Sequence, residues 1–523
     1  MPDGLLLIQP LNRKEGGDMS QFTWLDWVIV LVYVVGAGAA GLMGRRYVKT
    51  IEDFIVAGRG LNPYLAIATL AGTEMGLVTV VYMAEQGYKN GFSAFVIGLI
   101  AGLGMGILGL TGFLIKGFRA SGAMTIAEYY EMRYSKGVRW VGGIVIATAG
   151  ILNMGVFLKA GALFLTQVTG LPEVVSLGGM QIPILNLVMT VLLIVVLLYT
   201  VVGGMISVVF TDYIQFIVLS LGFILATVVI VAKLGLGTIA HAVVEYKGIE
   251  GLSPFVNPNY GWAYIIWQIL LFTTASATWQ TAAMRVSATR SPEVAQKVYR
   301  WTSLVWIGRA ILPMFWGAAA LAYFGTRMEG VTEGSLKAMP AMLGQVIPVG
   351  ILGLLTAGML AAFMSTHDSY LLAWSSVITQ DIIAPLRKRE LSTRARIAIT
   401  RVLIVLIGIF LLIWGLWYQL PSTMWDYLAL TGTMYLSGTL AMLTCGLYWK
   451  KANRTGAYTA IALGVIFPIS QLFLLDKVNA LLKASLGFEL SPGLAGMSAY
   501  IVAMLGMIVG SLLGHAFGRK EGR

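Results

Sequence analysis

The feature that most constrains this chain is a succession of apolar runs, each about 20 residues long. Thirteen can be marked, near 24–43, 63–86, 92–115, 138–166, 184–202, 206–232, 260–284, 298–324, 348–378, 398–418, 423–448, 455–475 and 496–517. A helix rises about 1.5 Å per residue, so about 20 apolar residues cross the roughly 30 Å hydrocarbon core of a bilayer. A spanning β-barrel would instead show alternating segments of about ten residues, and none is visible. Composition agrees. Charged residues make up 11% of the chain and the mean hydropathy is +0.81, whereas a soluble domain carries about 25% charged residues. The chain reads as an all-α, polytopic membrane protein with about 13 transmembrane helices.

A net charge of +12 invites a nucleic-acid reading, but the basic residues are sorted by loop. Alternate loops collect Arg45, Arg46, Lys49 and Arg59; Lys116, Arg119, Arg133, Lys136 and Arg139; and Arg285, Arg290, Lys297 and Arg300. The stretches 387–401, 450–454 and 519–523 continue the pattern, and the opposite side has far fewer. Basic-rich loops stay cytoplasmic. The charge is therefore topology, with the N-terminus outside, the C-terminus inside and no nucleic-acid partner. Cys445 is the only cysteine and there are three histidines, which excludes a disulfide framework and argues against a Cys/His metal cluster. Residues 1–22 read as a mobile tail, 23–518 as one membrane domain and 519–523 as a cytoplasmic tail. The segment TIAEYYEMRYSKGVRW within the 116–137 loop reads as an amphipathic interfacial helix. Gly98, Gly102 and Gly106 form a four-spaced stripe suited to close helix packing.

Ionisable groups inside the runs are few: Glu74, Lys159, Asp212, Arg309, His367 and Asp368. Such groups are costly in a membrane and point to function by default. Gly72 and Gly76 flank Glu74, so the helix there unwinds easily and frees carbonyl oxygens for a small cation. At about 100° per residue, Ala362, Ser365, Thr366, Ser369 and Ser376 share one stripe, with Asp368 at its edge. An oxygen-rich stripe suits a hard cation; equally, such hydroxyls bond back to their own helix. His367 reads as a packed histidine, while Lys159 and Arg309 are expected to snorkel or to pair with a buried carboxylate. Trp279 either stacks on a solute or packs.

Three segments in order carry a resemblance. AAFMSTHDSYLLAWSSVITQDI (361–382), GGMISVVFTDYIQFIVL (203–219) and TIAEYYEMRY (125–134) resemble motifs of the sodium:solute symporter family. The resemblance implies a leucine-transporter-like fold of two inverted five-helix units, about 63–232 and 260–448, with one extra helix before and two after. It implies a main sodium site built from the carbonyls of Gly72, Met75 and Ala362 and the hydroxyls of Ser365 and Thr366. Asp212, Asp368 and Ser369, with Ser365, would form a second ion site, and Glu74 would be linked to ion or proton movement. TTASATWQTAAMRVSATRS (273–291) resembles the choline-transporter-like branch, placing Phe272, Thr273, Ser276, Trp279 and Gln280 by the solute cavity. The expected function is sodium-coupled symport of a small organic solute through the plasma membrane, a bacterial inner membrane by preference. The alternatives are proton coupling on the same fold and a transporter-like solute sensor. Enzyme chemistry is not expected, because adjacent His367 and Asp368 point to different faces of one helix.

Overall fold

The computed structural model describes residues 20–518 except 45–46, 48, 178–179, 330, 332–333, 388, 419–423 and 488. The expected terminal tails at 1–19 and 519–523 lie outside the described residues. Each apolar run falls on helix. The main elements are α1 (Trp24–Gly44), α2 (Pro63–Glu74), α3 (Leu77–Asn90), α4 (Phe95–Thr111), α5 (Ile126–Arg133), α6 (Lys136–Met154), α7 (Phe157–Thr169) and α8 (Ile184–Leu234). They continue with α9 (Trp262–Thr278), α10 (Gln280–Ala288), α11 (Pro292–Phe324), α12 (Gly334–Val346), α13 (Ile351–Val377), α14 (Thr393–Trp417), α15 (Met424–Tyr448), α16 (Arg454–Leu486) and α17 (Pro492–Gly518). Helix starts follow local chemistry. Asn62 Oδ1 accepts from Leu65 N at 3.0 Å with Pro63 at the first position, and Ser291 caps α11 ahead of Pro292 in the same way. α8 carries two apolar runs that meet at Gly204, where φ is +60° and the helix turns.

Among the described residues, nine helices are long and apolar enough to cross a bilayer. The runs at 63–86 and 260–284 are not single unbroken helices because each is cut: α2 ends at Glu74 and α9 at Thr278. The first is the unwinding expected between Gly72 and Gly76. Broken helices at corresponding places in two halves of a membrane chain mark the midplane binding region of transporter folds.

Four local features refine the sequence reading. Ser20 and Gln21, expected in the mobile tail, are pinned: Ser20 Oγ donates to Val168 O at 2.5 Å and Gln21 N to Gly344 O at 2.8 Å. α5 packs one face into the protein: Ile126, Ala127, Tyr129 and Tyr130 are buried, Tyr130 Oη donates to Thr439 at 2.8 Å, and Met132 on the other face is exposed. A two-stranded hairpin, β1 (Val174–Leu177) with β2 (Met180–Pro183), adds a little strand to the helical chain. α12 is a further helix between α11 and α13. The glycine stripe of α4 does pack against α11: a Cβ at Gly98 would lie 2.8 Å from Ile311, and one at Gly102 would collide with Ile307.

Candidate solute and ion site

A helix that stops leaves its last carbonyls without amide partners. At the first break, Met75 N still bonds Ala71 O at 3.0 Å, but Met75 turns to φ −91°, ψ 57° and Gly76 is extended. The carbonyls of Gly72, Thr73 and Glu74 are therefore claimed by side chains from elsewhere. Ser365 Oγ donates to Gly72 O at 3.0 Å and Thr366 Oγ1 to Thr73 O at 2.9 Å. Arg309 Nη1 donates to Glu74 O. Ser365 Oγ also lies 3.3 Å from Ala362 O. Carbonyl and hydroxyl oxygens from α2 and α13 thus converge at one place, the arrangement a hard cation needs. Gly76 permits it, since a Cβ there would collide with Thr366 Oγ1.

The second break is capped differently. Trp279 leaves the helix at φ −58°, ψ 130°. Ser276 O accepts from Tyr299 Oη at 2.6 Å, and Thr278 O accepts from Tyr435 Oη. Both phenols are buried.

Beside the first break lies a closed polar network. Asp212 on α8 is fully buried; its Oδ2 accepts from Thr69 Oγ1 at 2.5 Å, Thr73 Oγ1 at 3.2 Å and Arg285 Nη2 at 3.1 Å. Arg285 also donates to Thr69 O at 3.1 Å, to Ser369 Oγ at 2.8 Å and to Thr73 Oγ1. Ser369 Oγ in turn bonds Asp368 Oδ1 at 3.1 Å. The guanidinium stands among the oxygens expected for the second ion site, so an ion binding there would have to displace it.

Beside the break a cavity of about 130 Å³ opens between α2/α3, α7, α9, α11, α13 and α15. Thr73, Glu74 and Thr366 line one wall, Arg309 and Trp306 another, and Tyr82, Phe157, Phe272, Trp279, Tyr370 and Trp425 supply an aromatic body. Glu74 Oε1 accepts from Thr281 Oγ1 at 2.7 Å.

Of the residues expected for the main ion site, Gly72, Ala362, Ser365 and Thr366 lie together. Met75 sits at the break, with its own backbone off the helical path. Phe272, Ser276 and Trp279 line the cavity, but Thr273 and Gln280 lie elsewhere. Thr273 abuts Gly104 on α4, and buried Gln280 accepts from Ile126 N at 3.2 Å. His367 packs as expected, bonded at 2.8 Å to Phe363 O and 3.9 Å ring to ring from Phe363. Two arginines depart from the sequence reading. Arg285, counted among the cytoplasmic loop charges, is 2% exposed and inside the network. Arg309 neither snorkels nor meets a carboxylate; it caps Glu74 O and lies 4.1 Å over Trp306. Thr69 and Thr73, on one face of α2, were also unanticipated; their four-residue spacing was the available signal.

A family model described as the sodium:solute symporter family matches residues 54–464. The sodium/sialic acid symporter SiaT of Proteus mirabilis is 24% identical over 469 residues, which span 86% of this chain and 89% of that protein. The sodium/proline symporter of Salmonella typhimurium is 22% identical over 503 residues, spanning 94% and 93%. In three dimensions the chain matches the substrate-bound, outward-open state of a Na+-coupled sialic acid symporter with a TM-score of 0.75 at 20% identity, covering 94% of this chain and 98% of that one.

Proposed function

The chain belongs to the sodium:solute symporter family, with its leucine-transporter-like fold, and is a sodium-coupled symporter; we propose that it carries a small organic solute into the cell by alternating access across the plasma membrane. In this reading sodium binds where Ser365 and Thr366 reach the freed carbonyls of α2, with Gly72, Met75 and Ala362 supplying main-chain oxygens. The observation that carries it is the pair of cross-helix bonds from Ser365 to Gly72 O and from Thr366 to Thr73 O. An arriving cation takes the oxygen lone pairs of those hydroxyls, their protons rotate away, and α2 is drawn to α13 through the ion. Sodium then favours the state in which these helices touch, by its differential affinity for that state.

The side facing α10 is closed. Leu61 N donates to Ala288 O at 3.0 Å, Arg290 N to Leu61 O at 3.2 Å, and Arg119 Nε to Thr289 O at 2.8 Å. With the N-terminus outside and the C-terminus inside, this is the cytoplasmic gate, and opening it breaks these bonds. A one-sodium cycle is favoured because Arg285 already neutralises Asp212. The test is uptake into proteoliposomes as sodium is varied. Thr366→Ala raises the sodium concentration for half-maximal uptake about tenfold, a loss of roughly 1.4 kcal/mol of binding. Unchanged sodium dependence in that variant would remove Thr366 from the site. Uptake driven by a proton gradient without sodium would favour Glu74 as a proton carrier.

A further inference from the structure

The interior arginines are not equivalent. Arg285 has Asp212 at 3.1 Å, and Arg139 has Asp381 at 2.8 Å and Glu131 at 2.6 Å. Among the described residues, no carboxylate oxygen lies within 4.0 Å of Arg309. Yet Arg309 is only 7% exposed, its Nε has no partner, and it lines the cavity. One Nη is committed to Glu74 O and the guanidinium face to Trp306, which holds the group in one orientation. A guanidinium withdrawn from water is costly unless an anion meets it. Its planar donor edge matches a carboxylate in two parallel hydrogen bonds. The carboxylate of Glu74 lies in the same cavity but bonds Thr281 instead.

We propose that the transported solute is an organic monocarboxylate with an apolar or aromatic body, its carboxylate held by Arg309 and its body by the rings of Tyr82, Phe272, Trp279 and Trp425. This rests on the reading of the cavity as the solute site. A quaternary amine of the same size would meet the fixed positive charge of Arg309. A neutral polyol would leave that guanidinium with no carboxylate in direct contact. The placement also gives a route for coupling. Thr73 and Thr366 belong both to the ion-binding corner and to the cavity wall, so the carboxylate and sodium are near neighbours of opposite charge. Each then raises the affinity for the other by the same factor.

The experiment uses purified full-length protein and three probes of similar shape: phenylacetate, phenylacetamide and benzyltrimethylammonium. A set of other monocarboxylates from acetate to octanoate extends it. Thermal stability is followed in sodium and in potassium chloride, since a ligand of the folded state raises Tm by mass action. The expected result is that at least one carboxylate raises Tm in sodium, binding at least about tenfold more tightly there than in potassium, while the amide and the ammonium do not. In Arg309→Gln the preference for carboxylate over amide falls to near unity, and Arg309→Lys restores part of it. A merely structural cap on Glu74 O would lower Tm in Arg309→Gln without changing that preference. The proposal is overturned if the amide or ammonium binds as well as the carboxylate to wild type, or if sodium raises Tm and no carboxylate adds to it. If sodium itself changes nothing relative to potassium, the ion-site reading fails instead, whatever the solutes do.

Discussion

The two helix breaks solve one problem with different chemistry. Between α2 and α3, the freed carbonyls are met by the short hydroxyls of Ser365 and Thr366 and by Arg309. Between α9 and α10, they are met by the phenols of Tyr299 and Tyr435. A serine or threonine hydroxyl can turn its lone pairs to a cation while staying in place, because its oxygen is both donor and acceptor. A buried phenol has lone pairs too, but they are partly delocalised into the ring, and its oxygen moves only with that large ring, which fills the surrounding space. On the proposed reading the first break can exchange partners and the second keeps them, so that two corresponding breaks divide ion handling from scaffolding.

That contrast can be broken most severely through Arg285, which ties α10 to Thr69 O of α2 and to Asp212 of α8. Arg285→Gln leaves a buried carboxylate without its cation and is expected to cost about 3–5 kcal/mol. The measurement is thermal or denaturant unfolding in detergent. Near-wild-type stability would show that the pair does not hold the two broken helices together. Gly76→Ala comes next. Its Cβ pushes into Thr366 Oγ1, so half-saturation by sodium should rise by more than tenfold, at least roughly 1.4 kcal/mol. Normal sodium dependence in that variant would place the ion elsewhere. The smallest effect belongs to Tyr435→Phe. It leaves Thr278 O unpartnered and should cost about 1–3 kcal/mol of stability at the lower end of that range, with sodium half-saturation within about twofold of wild type. A shift as large as that of Thr366→Ala would erase the distinction between the breaks.

Much of this was legible along the chain because it is periodic or local. The apolar runs mark the helices, Gly72 and Gly76 mark the first break, and 3.6-residue periodicity puts Ala362, Ser365 and Thr366 on one face. The partners of charged groups were not legible, because they are set by which helices meet. Arg285 stands just past the end of an apolar run and so reads as a loop charge; only the approach of α8 and α13 makes it an interior cation. Arg309 carries no local sign that a carbonyl 235 residues earlier in the chain will face it. Thr273 and Gln280 directly follow the cavity-lining Phe272 and Trp279, and the turn of about 100° per residue carries them round to α4 and α5.

The glycines of α3 and α11 bear on how such a molecule moves. A Cβ at Gly87 would collide with Met314 O, and one at Gly317 with Ala84 O, so the two backbones lie directly against each other at reciprocal positions. α4 joins them through Gly98, Gly102 and Gly109, the last abutting the backbone of Arg300. α3 and α11 thus touch backbone to backbone, and α4 packs on α11 with only Ile307 and Ile311 side chains between them at Gly102 and Gly98. α2 is held to α8 and α13 through Asp212, Arg285, Ser365 and Thr366, and to α11 at its last residue, where Arg309 meets Glu74 O. Met75 and Gly76 join these two sets of helices, and the proposed ion sits at that junction. An occupant at a junction sets its bending stiffness, so on the proposed reading a single bound cation would decide whether the two sets of helices rotate together or apart.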